Sequence, residues 1–409
     1  MAEPIYLTSA FAGTGGQIKL CAEDFLVEEI PLYQPSGSGE HLYLRLRKTG
    51  LSTPELLFQL ARFFRVRERD LGYAGLKDAR ATTIQTISVP GKSPDDAASL
   101  DLPGITLLDA TSHGNKLRLG HLAGNRFRVR IRGTVEGTER SATETLAVLQ
   151  DLGVPNLFGE QRYGVLGNSA LIGRALLRRE YDRVIALVIG NPEQISNDRW
   201  REAAERFVRK DLRGAVDILP GRMRDERRML QQLLAGRGAE QAVLALPHKR
   251  LRLYLSAVQS RLFDRLVTMR LQSLERLWPG DWAYKHANGA CFKVEDAAAE
   301  QPRADAFEIS PTGALVGHKV QLAAGQAGLL EESLLDKEGI QPADFKLGRG
   351  LTMTGERRPL RVPLHDVELR TTSDGLLLGF SLPRGSYATS VLREVMKNAG
   401  TNPGTGTEA

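Results

Sequence analysis

From His41 to Arg47 the leucines at 42, 44 and 46 alternate with polar side chains, the two-residue period of a strand with one buried face. The same period governs Asn125 to Arg132, where Phe127, Val129 and Ile131 alternate with Arg126, Arg128, Arg130 and Arg132. A strand with one apolar and one arginine face lies on a solvated sheet surface or meets phosphates. Shorter strands are expected at Gln17 to Cys21, Phe25 to Ile30, within the Thr- and Ile-rich end of Gly72 to Val89, at Ile105 to Asp109 and at Lys116 to Leu119. Helical spacing takes over after Thr53-Pro54-Glu55, which predicts a helix start with Thr53 as cap and Leu56, Leu57, Leu60, Ala61 and Phe64 as its buried stripe. A second amphipathic helix is predicted from Ser141 to Leu152, stopped by Gly153.

Beyond the Gly-, Asn- and aromatic-rich loop Val154 to Gly167, helical patterns dominate, at 171–188, 198–208, 226–233 and 251–277. Strands and turns return over 281–322, a helix over 329–338, and Leu360 to Met396 reads strand, Asp374-Gly375 turn, strand, then helix from Thr389. The implied fold is α/β (α+β): a mixed α/β body made of 1–152 plus 359–397, interrupted by a mostly helical insert over 153–358. The Gly/Thr/Pro tail 398–409 is expected to be disordered.

Composition narrows the chemistry. The 409 residues carry a formal charge of +6, with arginines gathered at 118–132, 201–228 and 249–252, and several such clusters in one chain favour a nucleic-acid partner. Two lone cysteines, Cys21 and Cys291, give neither a disulfide framework nor a CxxC pair, and the seven histidines are scattered, so no metal is expected. The glycine group 13, 15 and 16 lacks the third glycine of a dinucleotide loop, where Ile18 stands; Gly91-Lys92-Ser93 lacks the first glycine of a phosphate loop, where Thr86 stands. There is no GxSxG elbow. No apolar run approaches the roughly 20 residues of a membrane span, and a cytoplasmic chain with no membrane partner is expected. The remaining candidate is Gly75-Leu76-Lys77-Asp78, a carboxylate at the end of a short loop stiffened by a β-branched strand.

Six separated stretches occur in an order that resembles the TruD family of tRNA pseudouridine synthases: KLCAEDFLVE from Lys19, GLKDARATTIQ from Gly75, LRLGHLAGNRF from Leu117, VPNLFGEQRYG from Val154, LYLSAVQSRLF from Leu253 and LPRGSYATSVLRE from Leu382. The resemblance implies a pseudouridine-synthase-type catalytic domain with a TRUD insertion domain, which together bind tRNA, need no cofactor and act at uridine 13; a monomer is expected. It implies Asp78 as the essential carboxylate and Lys19 as its cation. Substrate contacts carried over are Phe25 and Tyr387 as aromatic faces, Asn125 for the uracil edge, and Phe127, Arg162 and Gln85 in the same motifs. By direction alone Lys77, adjacent to Asp78, would point to the opposite face of an extended backbone. A protein that binds or folds tRNA without catalysis is the other class open to this sequence; a methyltransferase is disfavoured by the missing glycine loop.

Overall fold

Strands pair where an alternating apolar face can be covered. In a computed structural model describing residues 5–348 and 350–398, β1 (Phe25–Pro31), β2 (His41–Thr49), β3 (Gly72–Tyr73), β4 (Thr82–Pro90), β5 (Ile105–His113), β6 (Leu122–Arg132), β7 (His365–Thr372) and β8 (Gly375–Pro383) form one eight-stranded sheet. Its order is β7-β8-β6-β1-β4-β2-β5, with β3 on β4. The β1–β4 pair is parallel and the others are antiparallel. Among the described residues three α-helices belong to this unit: α1 (Thr53–Phe64), α2 (Glu139–Leu152) and α3 (Ala388–Met396). The described residues separate into two compact units, this one, made of 5–154 and 362–398, and a second within Pro155–Arg361. Sequence expectation had set the insert at 153–358.

Two apolar layers bury the sheet. Phe25, Val27, Phe127, Val129, Ile131, Leu378 and Phe380 pack with Leu146 and Leu149 of α2 and Val391, Leu392 and Val395 of α3. Leu42, Leu44, Leu46, Ile87 and Val89 pack with Leu56, Leu57, Leu60 and Phe64 of α1. Each buried side chain of this size contributes about 1.5–3 kcal/mol.

Several local expectations change. The cap of α1 is Ser52, whose hydroxyl accepts from Glu55 N while Glu55 returns to Ser52 N at 2.6 Å, so Thr53 lies inside the helix with its hydroxyl free for other use. Gln17 to Cys21 is no strand: Gln17 makes one bridge to Arg132, and the left-handed turn at Lys19 (φ 59°) ends the extension. Lys116 to Leu119 has no strand neighbour; Leu117 N donates to the Ser88 hydroxyl at 3.0 Å instead.

In the second unit the pattern over 171–188 breaks into Ser169–Leu177 and Tyr181–Ile189 at the left-handed Arg179 (φ 59°). The long helix runs His248–Met269, short of Leu277, because Arg270 turns inward onto Asp281 at 3.1 Å, and Asp281 also accepts from Trp278 N. Ala297–Asp305 is a helix that alternation did not predict, capped by the Asp296 carboxylate on the N–H groups of Ala298 and Ala299. The unit also carries a four-stranded sheet, Glu356–Pro359, Ile309–Leu315, Trp282–Lys285 and Cys291–Lys293 in that order. The tail expected at 398–409 lies outside the described residues beyond Asn398, whose side chain donates to Gly16 O at 2.9 Å.

Candidate active site

Parallel pairing builds the site. The register Leu26 with Thr82 sets the segments leading into β1 and β4 side by side, one carrying Lys19 and the other Asp78. Lys19 Nζ lies 2.8 Å from Asp78 Oδ2, and the Asp78 side chain keeps 36% of its exposure against 16% for Lys19. The second carboxylate oxygen accepts from Arg80 N at 3.1 Å, which fixes the side chain over its own turn. Three further bonds hold the loop: Gly120 N donates to Ala74 O at 2.8 Å, Lys77 N to Thr53 Oγ1 at 2.9 Å, and Lys48 Nζ to Asp78 O at 3.2 Å. Lys19 Nζ also sits 4.5 Å from the Phe25 ring centroid, a cation over an aromatic face.

Lys77 turns away from Asp78. Its ammonium donates to Asn125 Oδ1 at 2.5 Å and lies 3.2 Å from Glu29 Oε1, close enough for charge attraction though not aligned as a hydrogen bond. Glu29 and Asn125 are direct partners across the β1–β6 ladder and therefore share a face, at the end of the apolar row formed by Phe25, Val27, Phe127 and Val129. Gly124 makes this end possible, since a Cβ there would stand 2.3 Å from Leu382 O. Burial pushes the Glu29 carboxyl above its ordinary range, opposed by the Lys77 charge and by Thr86 N, which donates to Oε2 at 3.0 Å. An ammonium has only donors, so the amide oxygen of Asn125 is the atom that faces Lys77. What Asn125 offers elsewhere is its NH₂.

The other expected residues occupy different depths. Phe25 and Phe127 are each only 6% exposed: Phe25 meets Phe127 edge-on at 6.3 Å, and Phe127 stacks on Phe380 at 5.2 Å. Both are core residues, and the open aromatic face expected of Phe25 is taken up by Phe127 and by Lys19. Gln85 has no exposure; its Oε1 accepts from Thr53 Oγ1 at 3.2 Å, so it braces the loop from below and does not reach the surface. Tyr387, half-buried, begins α3. Its loop is tied to the Asp78 loop through one residue: Arg384 Nη1 donates to Gly120 O at 2.8 Å, and Gly120 N to Ala74 O. Arg162 belongs to the second unit, where Nε donates to Ser260 Oγ at 3.0 Å and the guanidinium lies over Phe158. Beside it the Tyr163 hydroxyl donates to Asp264, whose carboxyl burial pushes up to about 6.

Three supporting residues escaped the sequence: Lys48, Glu29 and Thr53. Lys48 had a signal, because it continues the inward parity of Leu42, Leu44 and Leu46 and so had to be buried. Burial pushes its ammonium down to about 8, against the opposing charges of Asp78 and Glu55. Among the described residues no group of three or more His, Cys, Asp or Glu is arranged to hold a metal, and no helix is long and apolar enough to cross a membrane. Chemically, the arrangement supplies a half-open carboxylate paired with an ammonium, able to act as nucleophile or base, and an amide whose polarity is fixed by Lys77, the residue before that carboxylate, which leaves its NH₂ as a donor for a carbonyl oxygen.

Comparison with known proteins bears on the whole chain. The family model for tRNA pseudouridine synthase D (TruD) matches residues 3–395. The tRNA pseudouridine synthase D of Syntrophotalea carbinolica is 57% identical over 392 residues, covering 96% of this chain and 98% of that protein. That of Geobacter metallireducens is 52% identical, covering 97% and 98%. Among solved structures, the TruD protein of Methanosarcina mazei superposes with a TM-score of 0.83 at 27% identity, covering 98% of this chain and 97% of that one. With the family model spanning nearly every residue and relatives above half identity end to end, the chain belongs to the tRNA pseudouridine synthase D (TruD) family.

Proposed function

We propose that this enzyme isomerises uridine 13 of its tRNA substrates to pseudouridine, with Asp78 as the nucleophilic carboxylate. The observation that carries the reading is the half-exposed Asp78 carboxylate at 2.8 Å from Lys19, within a family that performs this chemistry. The reaction breaks the C1′–N1 bond, joins C1′ to C5, removes the proton from C5 and returns one to N1. Atoms and electrons balance within one nucleoside, so no co-reactant is required.

Each residue then has a task. The uridine leaves the RNA stack, at a cost of a few kcal/mol that the pocket returns through stacking and edge hydrogen bonds. Tyr387 offers a ring and hydroxyl to the base, and Phe25 and Phe127 supply the apolar floor. Asn125, its oxygen engaged by Lys77, donates from NH₂ to a uracil carbonyl oxygen; this orients the base and favours charge developing on that oxygen as the glycosidic bond breaks. Lys19 stays beside Asp78 and shields it from the approaching phosphates. Gln85 and Thr53 brace the loop, and Arg162 braces its own motif in the Pro155–Arg361 unit, which serves as the TRUD insertion domain contacting tRNA.

Asp78→Asn keeps the shape of the site and removes the nucleophile. Incubated with tRNA from cells lacking the enzyme, it is expected to bind tRNA normally and form no pseudouridine by chemical probing. Pseudouridine at the wild-type rate sinks the assignment, and modification at another position sinks the choice of uridine 13.

A further inference from the structure

The Asp78 loop rests on a polar island at the end of an apolar layer. On β2 the inward row is Leu42, Leu44, Leu46 and Lys48, all without exposure, and opposite them on β4 stand Val89, Ile87, Gln85 and Thr83. A lysine in such a row is costly unless its ammonium is used. Lys48 Nζ is used twice, donating to Leu51 O, just before the cap of α1, and to Asp78 O at 3.2 Å. It thereby ties the main chain of the carboxylate to the start of α1. Thr53 makes a second tie from the same helix, accepting from Lys77 N. Lys48 has no route to solvent or to a bound base, so whatever it does for the reaction it does through Asp78.

We propose that Lys48 is a positioning residue for the isomerisation, its buried ammonium fixing the Asp78 peptide so that the carboxylate is presented at one height and angle to the sugar. The inference rests on the reading of Asp78 as the reacting carboxylate. Charged groups facing Lys48 are Asp78 and Glu29, which favour its ammonium along with Glu55, and Lys77, which opposes it. Burial outweighs them and brings its titration down to about 8, so the charge-assisted bond to Asp78 O weakens just above neutrality.

The test is single-turnover pseudouridine formation on tRNA across pH 6.5 to 9.5, with tRNA affinity measured alongside. Lys48→Met keeps the length of the side chain in a row that is otherwise leucine, and Lys48→Gln keeps a donor without the charge. Expected for Lys48→Met is a rate lower on the order of 10- to 100-fold, with affinity unchanged within about threefold and the circular dichroism spectrum preserved. Lys48→Gln is expected to recover part of that loss; wild type is expected to decline above pH 8 and both variants to lack that decline, and a wild-type rate that stays flat there would count against the proposal. Wild-type rates in the variants, a loss confined to tRNA affinity, or an alkaline decline retained in both would overturn the proposal. If Lys48→Met does not fold, Lys48→Gln carries the same test. Activity in Asp78→Asn would instead refute the underlying reading, so the two failures are told apart by which variant stays active.

Discussion

Lys77→Met isolates the buried charge that fixes Asn125. The side chains of Lys77 and Glu29 are only 8% and 5% exposed, so deleting the cation leaves an uncompensated carboxylate inside the sheet. Removing one partner of such a pair costs about 3–5 kcal/mol where the other must stay charged. Burial already raises the Glu29 carboxyl above its ordinary range in the folded chain, and losing Lys77 raises it further. The folded state then holds a proton that the unfolded state releases, so stability falls as pH rises from the unfolded carboxylate value through the folded one. Lys77→Met should therefore approach wild type near the unfolded carboxylate value, about pH 4, and fall progressively further below it as pH rises to about 8. Two compact units need not unfold in one transition, so the quantity to read is the opening free energy of β1 and β6 by amide hydrogen exchange at the two pH values. Adding Glu29→Gln should recover most of the loss. A deficit below about 1 kcal/mol at pH 8, or an equal deficit at both pH values, would refute the argument that Lys77 neutralises a buried charge.

Two further outcomes follow from the arginine inventory. Arg126, Arg130 and Arg132 on β6 each pair with an acid, whereas Arg128 has no ion pair among the described residues. Arg128→Ala should change stability by less than about 0.5 kcal/mol and reduce the log–log salt slope of tRNA binding by about 1 if that face meets phosphate; an unchanged slope shows that it is merely solvated. In the second unit Arg270 and Asp281 are a buried pair, 2% and 0% exposed, with the guanidinium 3.6 Å from the Trp278 ring centroid. Arg270→Met should destabilise that unit by about 3–5 kcal/mol, seen as earlier proteolysis within 270–305, and Arg270→Met with Asp281→Leu should restore much of it.

Local periodicity reached the strands because the two-residue alternation is side-chain geometry itself: Phe127, Val129 and Ile131 go in, and Arg126 and Arg128 go out. It missed the α1 cap by one residue because Ser52 and Thr53 are both capping types; Glu55, three residues after Ser52, completes the capping box and decides between them. Lys48 was legible by parity, one position beyond the expected strand end at Arg47. Glu29 was not legible, since its partner Asn125 lies 96 residues away by the ladder register of Glu29 with Asn125, and no local pattern sets a register. The turn at Lys19 was hidden for a similar reason: a left-handed lysine carries no local signature, and its place beside Asp78 follows from the parallel pairing of β1 and β4.

The ladder between β6 and β8, from Arg132 with Gly375 to Gly124 with Pro383, joins residues made before the Pro155–Arg361 segment to residues made after it. At about 5–20 residues per second, the ribosome spends roughly 10–40 s on the intervening chain. Throughout that interval β6 is a bare sheet edge, open to any strand from another nascent chain. The four arginines spaced along it are then a guard for the growing polypeptide, repelling a second copy of the same edge until β8 arrives to close the sheet.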